Sequence, residues 1–158
     1  MSAEAGGRYL AFVLDGEEYA VEVERVEVVL ESAPITRVPK APGHLRGVIN
    51  YRGSVIPVAD LKTRFGEGRS AEGSSVIVLH IRYGGEDLVV GVLADEVREV
   101  IELDGSRVER PPRLGNRVDD ALIAGIGERG GRFIVLLDID EAFKAESAPS
   151  ERRTAEAM

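Results

Sequence analysis

The stretch Arg46-Gly47-Val48-Ile49-Asn50-Tyr51-Arg52-Gly53-Ser54-Val55-Ile56-Pro57-Val58-Ala59-Asp60-Leu61 decides the fold class. Val48 to Tyr51 is a short apolar run, Arg52-Gly53-Ser54 is a turn signal, and Val55 to Ala59 is a second apolar run, a pattern that predicts a β-hairpin. Asp60 then opens a helical turn over Asp60 to Phe65, where its carboxylate can accept from backbone N–H groups that have no partner inside the turn. The same order returns near the end of the chain. Phe133 to Leu137 is apolar, and Asp138-Ile139-Asp140-Glu141-Ala142-Phe143 repeats Asp60-Leu61-Lys62-Thr63-Arg64-Phe65 as Asp, Leu or Ile, three variable residues and Phe. A second helical turn is therefore expected over Asp138 to Lys144, with Asp138 and Glu141 in a capping-box-like arrangement. Earlier in each half, Val26-Glu27-Val28-Val29-Leu30-Glu31 resembles Val97-Arg98-Glu99-Val100-Ile101-Glu102, each after a hairpin signal, Asp15-Gly16 or Gly84-Gly85. The echoes lie 71 residues apart for Val26 and Val97 and 78 for Asp60 and Asp138, so the copies differ by an insertion, expected near Arg107 to Asp120.

Working outward, Tyr9 to Leu14, Tyr19 to Val23, Val76 to Ile81, Leu88 to Leu93 and Val97 to Leu103 are further runs rich in Val and Ile, bounded by Gly-containing turns such as Gly130-Gly131. Val76-Ile77-Val78-Leu79 and Phe133 to Leu137 are apolar at successive positions. Both faces of those strands must be covered, as happens when a small barrel also packs against a neighbour. The expected architecture is mainly β: two similar lobes joined near the polar, glycine-rich segment 66–74, with one further turn at Gly43 to Leu45. Residues 8–145 form one domain on this reading. Residues 1–7 and the charged tail 146–158 are small and polar, and are expected to be disordered.

The 158 residues include 44% hydrophobic and 30% charged side chains, a composition that supports a folded globular core. Cysteine is absent, which removes disulfides, thiolate nucleophiles and Cys-based metal sites and fits a cytoplasmic setting. The longest clearly apolar run, Leu88 to Ala94, is far short of the roughly 20 residues of a membrane-spanning helix, and no signal-peptide pattern opens the chain. A net charge of −8 argues against nucleic-acid or anionic-membrane partners. The charge is uneven, however: Arg37, Lys40, Arg46, Arg52, Lys62, Arg64 and Arg69 face only Asp60 and Glu67 in one window, leaving it at +5 and the remainder at −13. That window is either a solvated face or a docking patch for an acidic protein surface.

Catalytic chemistry is thinly represented. Gly125-Ile126-Gly127-Glu128-Arg129-Gly130 matches a dinucleotide fingerprint letter for letter, but a strand follows where a helix is needed, so a glycine-rich hairpin is expected and no cofactor. Asp138 and Asp140 could serve a metal-dependent hydrolase, although helix capping is the better use of Asp138. His44, expected in a surface loop, and His80, expected in a strand, have no ligand or triad partner at a useful spacing. The chain reads as a binding protein without catalytic, cofactor or metal residues. Arg52 at a hairpin tip is either a recognition residue or a solubilising one. Val26, Val28, Val29, Val97, Val100 and Ile101 are either core or the lining of a groove near the lobe junction.

Tyr9 to Leu14 with Glu18-Tyr19-Ala20-Val21, Thr36-Arg37-Val38-Pro39, Arg46 to Gly53, Ile56 to Leu61, Val89 to Asp95 and Leu136-Leu137-Asp138-Ile139 resemble the CheW family of chemotaxis coupling proteins over about Tyr9 to Lys144. The resemblance implies two five-stranded SH3-like β-barrels packed around a shared hydrophobic core. It also implies a non-catalytic adaptor between the cytoplasmic tip of methyl-accepting chemoreceptors and the regulatory domain of a CheA-type histidine kinase. By position, Arg52 carries over as the receptor-contacting arginine, with Val26, Val28, Gly47, Val97 and Val100 in the receptor groove. Three departures stand out: Val28 replaces a frequent acidic residue, Tyr51 a usual Leu, and Lys40 a usual Asn. They leave open a diverged scaffold in a parallel receptor–kinase pathway, such as surface motility or development.

Overall fold

The computed structural model describes residues 7–41, 44–66, 68–109 and 122–143. Residues 1–6, the expected tail, and 110–121 of the expected insertion lie outside them. Gly7, read above as part of the disordered start, is the first residue of a strand. The strands are β1 (Gly7–Leu14), β2 (Glu17–Glu22), β3 (Val26–Leu30), β4 (Leu45–Tyr51), β5 (Ser54–Ala59) and β6 (Ser75–Tyr83), then β7 (Glu86–Ala94), β8 (Glu96–Leu103), β9 (Val108–Glu109), β10 (Ile123–Arg129) and β11 (Arg132–Leu137). A short helix, Leu61–Arg64, follows β5, and a helical turn over 139–143 follows β11. Asp60 caps the first by accepting from the Lys62 N–H, and Asp138 caps the second by accepting from the Glu141 N–H, as the repeated pattern predicts. Of the further turn expected at 43–45, Gly43 lies outside the described residues and Leu45 already belongs to β4.

The strands form two sheets, ordered β8-β1-β2-β11-β10-β9 and β3-β6-β7-β5-β4, which are the two SH3-like barrel lobes; the second has the five strands expected, and the first has six because the two-residue β9 pairs onto the edge of β10. The repeat is visible in the register. Val58 of β5 pairs in parallel with Gly91 of β7, and Leu136 of β11 pairs in parallel with Ala20 of β2, at the spacings the sequence echo gives. Bulges fall at Leu45/Gly47 and again at Ile123/Gly125, also 78 residues apart. The segment 66–74 nevertheless joins two strands of one sheet, β5 and β6, so it separates the copies in sequence and not the lobes in space. Each copy gives a hairpin to one lobe and three or more strands to the other. The chain therefore crosses between lobes after β2 and again after β7, and the lobes are interlocked.

Strand periodicity explains the core. Along β6, Val76 and Val78 point into the interior of their own lobe, while Ile77, Leu79 and Ile81 point to the junction. Along β1, Tyr9 and Ala11 face the other lobe's interior, while Leu10, Phe12 and Leu14 face the same junction. The central cluster thus draws on both sheets, and burying each of its large side chains contributes roughly 1.5–3 kcal/mol. The apolar runs noted in the sequence are largely covered on both faces, but Phe133 and Val55 stand 72% and 70% exposed, and Leu88 and Val100 are exposed to a lesser degree. Strand β10 was not evident because its glycines carry no strand signal. Their reason is steric: a Cβ at Gly125 would come within 2.8 Å of Val108 Cγ1, and one at Gly127 within 2.8 Å of a Leu103 methyl group.

Candidate functional site

Strand pairing places Arg52 and Gly53 as the only two residues between Tyr51 and Ser54, with φ of 54° and 84°. Two positive φ values define a type I′ hairpin turn, which suits the twist of the flanking strands and favours Asn-Gly or Gly-Gly. The equivalent tip in the other lobe, Gly130-Gly131, obeys that preference. Arg52 does not, and holding a side chain with a Cβ in the left-handed region costs about 1 kcal/mol. Its guanidinium lies over the Tyr51 ring, 5.4 Å from the centroid, a cation–π contact that orients an otherwise mobile side chain.

The Tyr51 hydroxyl donates to Glu27 Oε2 at 3.2 Å, and Glu27 Oε1 lies 2.6 Å from His80 Nε2, which donates to it. These hydrogen bonds, His80 foremost, hold the Glu27 carboxyl below the usual range, with the His80 and Arg52 charges adding to the effect. The hairpin tip is thereby tied to β3. A register shift between Val26 and Val28 turns the strand at Glu27, so that Val26 packs against the central cluster while Val28 packs against the interior of the lobe.

On the other sheet Val97 also packs against the central cluster, and Val100, 41% exposed, faces outward. Strands β3 and β8 are the edges of their sheets, so Val26 and Val97 are half-buried at two rims of one junction. Gly47 sits elsewhere and is buried. A Cβ there would overlap the Thr36 carbonyl and approach Ile35 Cγ2 to 2.8 Å, and Thr36 and Val48 exchange two 2.8 Å backbone hydrogen bonds beside it. Its position is one of close backbone approach. The structure thus sets Val26 and Val97 at the junction, ties the Arg52 tip to β3 through Tyr51 and Glu27, turns Val28 inward, and sets Gly47 in the wall of the lobe. Tyr51, Glu27 and His80 were not found as a set from sequence, because their partners lie 24 and 53 residues apart and no periodicity marks them.

The residues considered for catalysis are engaged otherwise. Arg25 donates to both oxygens of Asp140, at 2.8 and 2.7 Å, and the Arg82 N–H donates to Oδ1 at 2.8 Å. Burial pushes the Asp140 carboxyl up, but these hydrogen bonds and the two guanidinium charges prevail and hold it below its ordinary value. Asp138 is raised, by burial first and by the nearby Glu141 and Asp140 charges, against the Glu141 N–H. No group of three or more His, Asp or Glu side chains among the described residues is arranged to hold a metal ion. His44 is half-buried at the foot of β4, and burial together with the Arg64 charge lowers its pKa. No helix among the described residues is long and apolar enough to cross a membrane.

Comparison with known proteins agrees with this architecture. The family model for the CheW-like domain matches residues 8–147. The chain is 31% identical over 154 residues to the chemotaxis protein CheW of Bacillus subtilis (strain 168), covering 95% of this chain and 96% of that one. The crystal structure of the scaffolding protein TtCheW from Thermoanaerobacter tengcongensis superimposes with a TM-score of 0.77 at 32% identity, over 88% of this chain and 93% of that one. A more distant likeness, 27% identity over 129 residues and 82% of this chain against 79% of its relative, is to protein FrzA of Myxococcus xanthus.

Proposed function

The chain belongs to the CheW family, and from that premise we propose that it is a cytoplasmic, non-catalytic adaptor coupling chemoreceptors to a CheA-type histidine kinase in chemotaxis signalling. The observation that carries the receptor half of this reading is Arg52. An exposed arginine held in a left-handed turn position, where glycine serves the equivalent tip, is retained at a conformational cost and is poised to present its planar fork to a carboxylate or carbonyl. Val26 and Val97 supply apolar rims on either side of the lobe junction, suited to an apolar helical surface. Val100 extends that surface, Val28 supports it from inside, and Gly47 sets the path of β4 toward the tip.

The acidic residue that the resemblance places at position 28 has a neighbour able to stand in for it. Glu27 presents its carboxylate outward next to Tyr51, within the field of Arg52. The adaptor makes and breaks no covalent bond; its contribution is to hold receptor and kinase in one assembly through separate surfaces. Arg52→Glu is expected to leave unfolding unchanged within about 1 kcal/mol while abolishing receptor control of kinase autophosphorylation in a reconstituted mixture. Full control by that variant would sink the assignment. A second reading, a scaffold of a parallel receptor–kinase pathway, draws on Val28, Lys40 and the likeness to FrzA. Pull-down against several receptor classes separates the two readings, since a chemotaxis adaptor retains chemoreceptors and a diverged scaffold retains another class.

A further inference from the structure

At the opposite end of β4 from Arg52 lies a cleft of about 470 Å³ lined by Arg37, Val38, Lys40, Leu45, Arg46 and Arg69 among others. A second depression of about 370 Å³ shares Arg37, Arg46 and Arg69 with it, so these arginines stand between two adjoining hollows. Arg52 lies six steps along the chain from Arg46, about 20 Å of strand, which makes this a different surface from the one described above.

The charges in the cleft do not cancel. Asp60, the acid in the larger hollow, is spent: it accepts from Arg46 Nη1, from the Ser70 N–H and from Ser70 Oγ, each at 2.8 Å, and from the Lys62 N–H at 3.2 Å. Arg46 is likewise closed off, its Nη2 donating to the Ser70 carbonyl at 2.8 Å. This neutral pair forms a rigid floor. Above it Arg37, Lys40 and Arg69 are exposed and have no hydrogen-bond or ion-pair partner among the described residues. Glu72, on the far wall of the second hollow, is the one exposed acid among the described residues lining either hollow. The rim also carries Val38, 41% exposed, with Pro39 beside it.

We propose that this cleft is a docking site for a short acidic protein segment, one carrying carboxylates on either side of an apolar residue. The three free cations would pair the carboxylates, and Val38 and Pro39 would meet the apolar side chain. In a chain of net charge −8 such a surplus of positive charge acts only locally, within a Debye length of about 8 Å, which favours a segment that enters the cleft over a distant acidic surface. The site leaves the Arg52 face open, so both surfaces can be engaged at once.

The test needs neither receptor nor kinase, and its failure leaves the proposed function standing. A fluorescein-labelled peptide of sequence Glu-Glu-Leu-Glu-Glu-Leu is titrated with the full chain at low salt and followed by anisotropy, with amide shifts of isotope-labelled protein locating the contact. Saturable binding is expected, with shifts concentrated at Arg37, Val38 and Arg69, at least about tenfold weaker for the exposed-residue variant Arg37→Glu/Arg69→Glu and unchanged for Arg52→Glu. Binding should weaken similarly between about 50 and about 300 mM salt. No saturable binding, shifts centred on the Arg52 tip, equal affinity of the double variant, or equal shifts from inorganic phosphate alone would each overturn the proposal.

Discussion

Lys62 and Asp140 occupy the same place in the two copies, two residues after the capping aspartate, and each ties a helical turn of one lobe to the chain crossing and the hairpin of the other. In the first copy Lys62 Nζ reaches Asp95 Oδ2 at 2.9 Å, and that same carboxylate oxygen accepts from the Asp15 N–H at 2.8 Å. In the second, Asp140 receives Arg25 through two hydrogen bonds and the Arg82 N–H through a third. The geometry is kept and the charges are exchanged. A carboxylate bound to a hairpin N–H is the constant; whether it comes from the turn or from the crossing is free. The difference teaches that the repeat conserves a junction and not a set of residue types, which is why Asp140, viewed alone, could be taken for chemistry.

Breaking the two copies should show how unequal they are. The capping aspartates differ most. Asp60, with a side chain 2% exposed against Arg46 at 11%, anchors a buried ion pair, and Asp60→Ala should cost about 3–5 kcal/mol in urea unfolding because the Arg46 guanidinium is left buried without its counter-charge. Asp138→Ala loses a cap and should cost about 1 kcal/mol. Equal losses would mean that Asp60 does no more than cap.

The clamps come next. Arg25→Ala removes a bidentate, part-buried pair and should cost about 1–2 kcal/mol, whereas Lys62→Met removes a 2.9 Å contact with Asp95 and a looser 3.9 Å one with Asp15 and should cost about 0.5 kcal/mol, both by the same unfolding measurement.

The acid limb of the stability curve sharpens the contrast further. Asp140 has its folded pKa below its unfolded one, so its stabilisation is full above the ordinary carboxylate pKa and is lost as pH falls through the folded value. Asp138 is raised, so its effect has the opposite sign: favourable below the ordinary value and lost as pH rises through the folded one. Asp140→Asn should flatten the loss of stability below about pH 4, and Asp138→Asn should steepen it above about pH 4. An effect as small as that of Lys62→Met, and of opposite sign, belongs to the hairpin tips. Arg52→Gly recreates the Gly-Gly turn of the other lobe and should raise stability by about 0.5 kcal/mol, the relief of left-handed strain less the contact with Tyr51.

Much of this was legible beforehand, and for identifiable reasons. The strands on both sides of the junction declared themselves because successive apolar residues require two covered faces, and the paired Asp turns declared the repeat. Hairpin tips were marked by Asp15-Gly16 and Gly84-Gly85, both with the positive φ such turns need. What escaped was set by contacts distant in sequence. The exchange of strands between lobes cannot be seen in a repeat whose copies look self-contained. Glycine at 125 and 127 hid β10, since a residue chosen for lack of volume gives no apolar period. Of the candidate site, the tip arginine and the two rim valines could be read, whereas the Tyr51–Glu27–His80 link depends on a bulge that turns Glu27 outward.

The central claim is an adaptor that binds a kinase without acting on it. The most direct measurement is a calorimetric titration of the purified full chain with the isolated regulatory domain of a CheA-type kinase encoded in the same organism, at low and moderate salt. The account predicts saturable one-to-one binding that persists in Arg52→Glu, because the proposed receptor contact at Arg52 is assigned a surface apart from the kinase's. A well-folded sample that shows no binding at either salt concentration would contradict it.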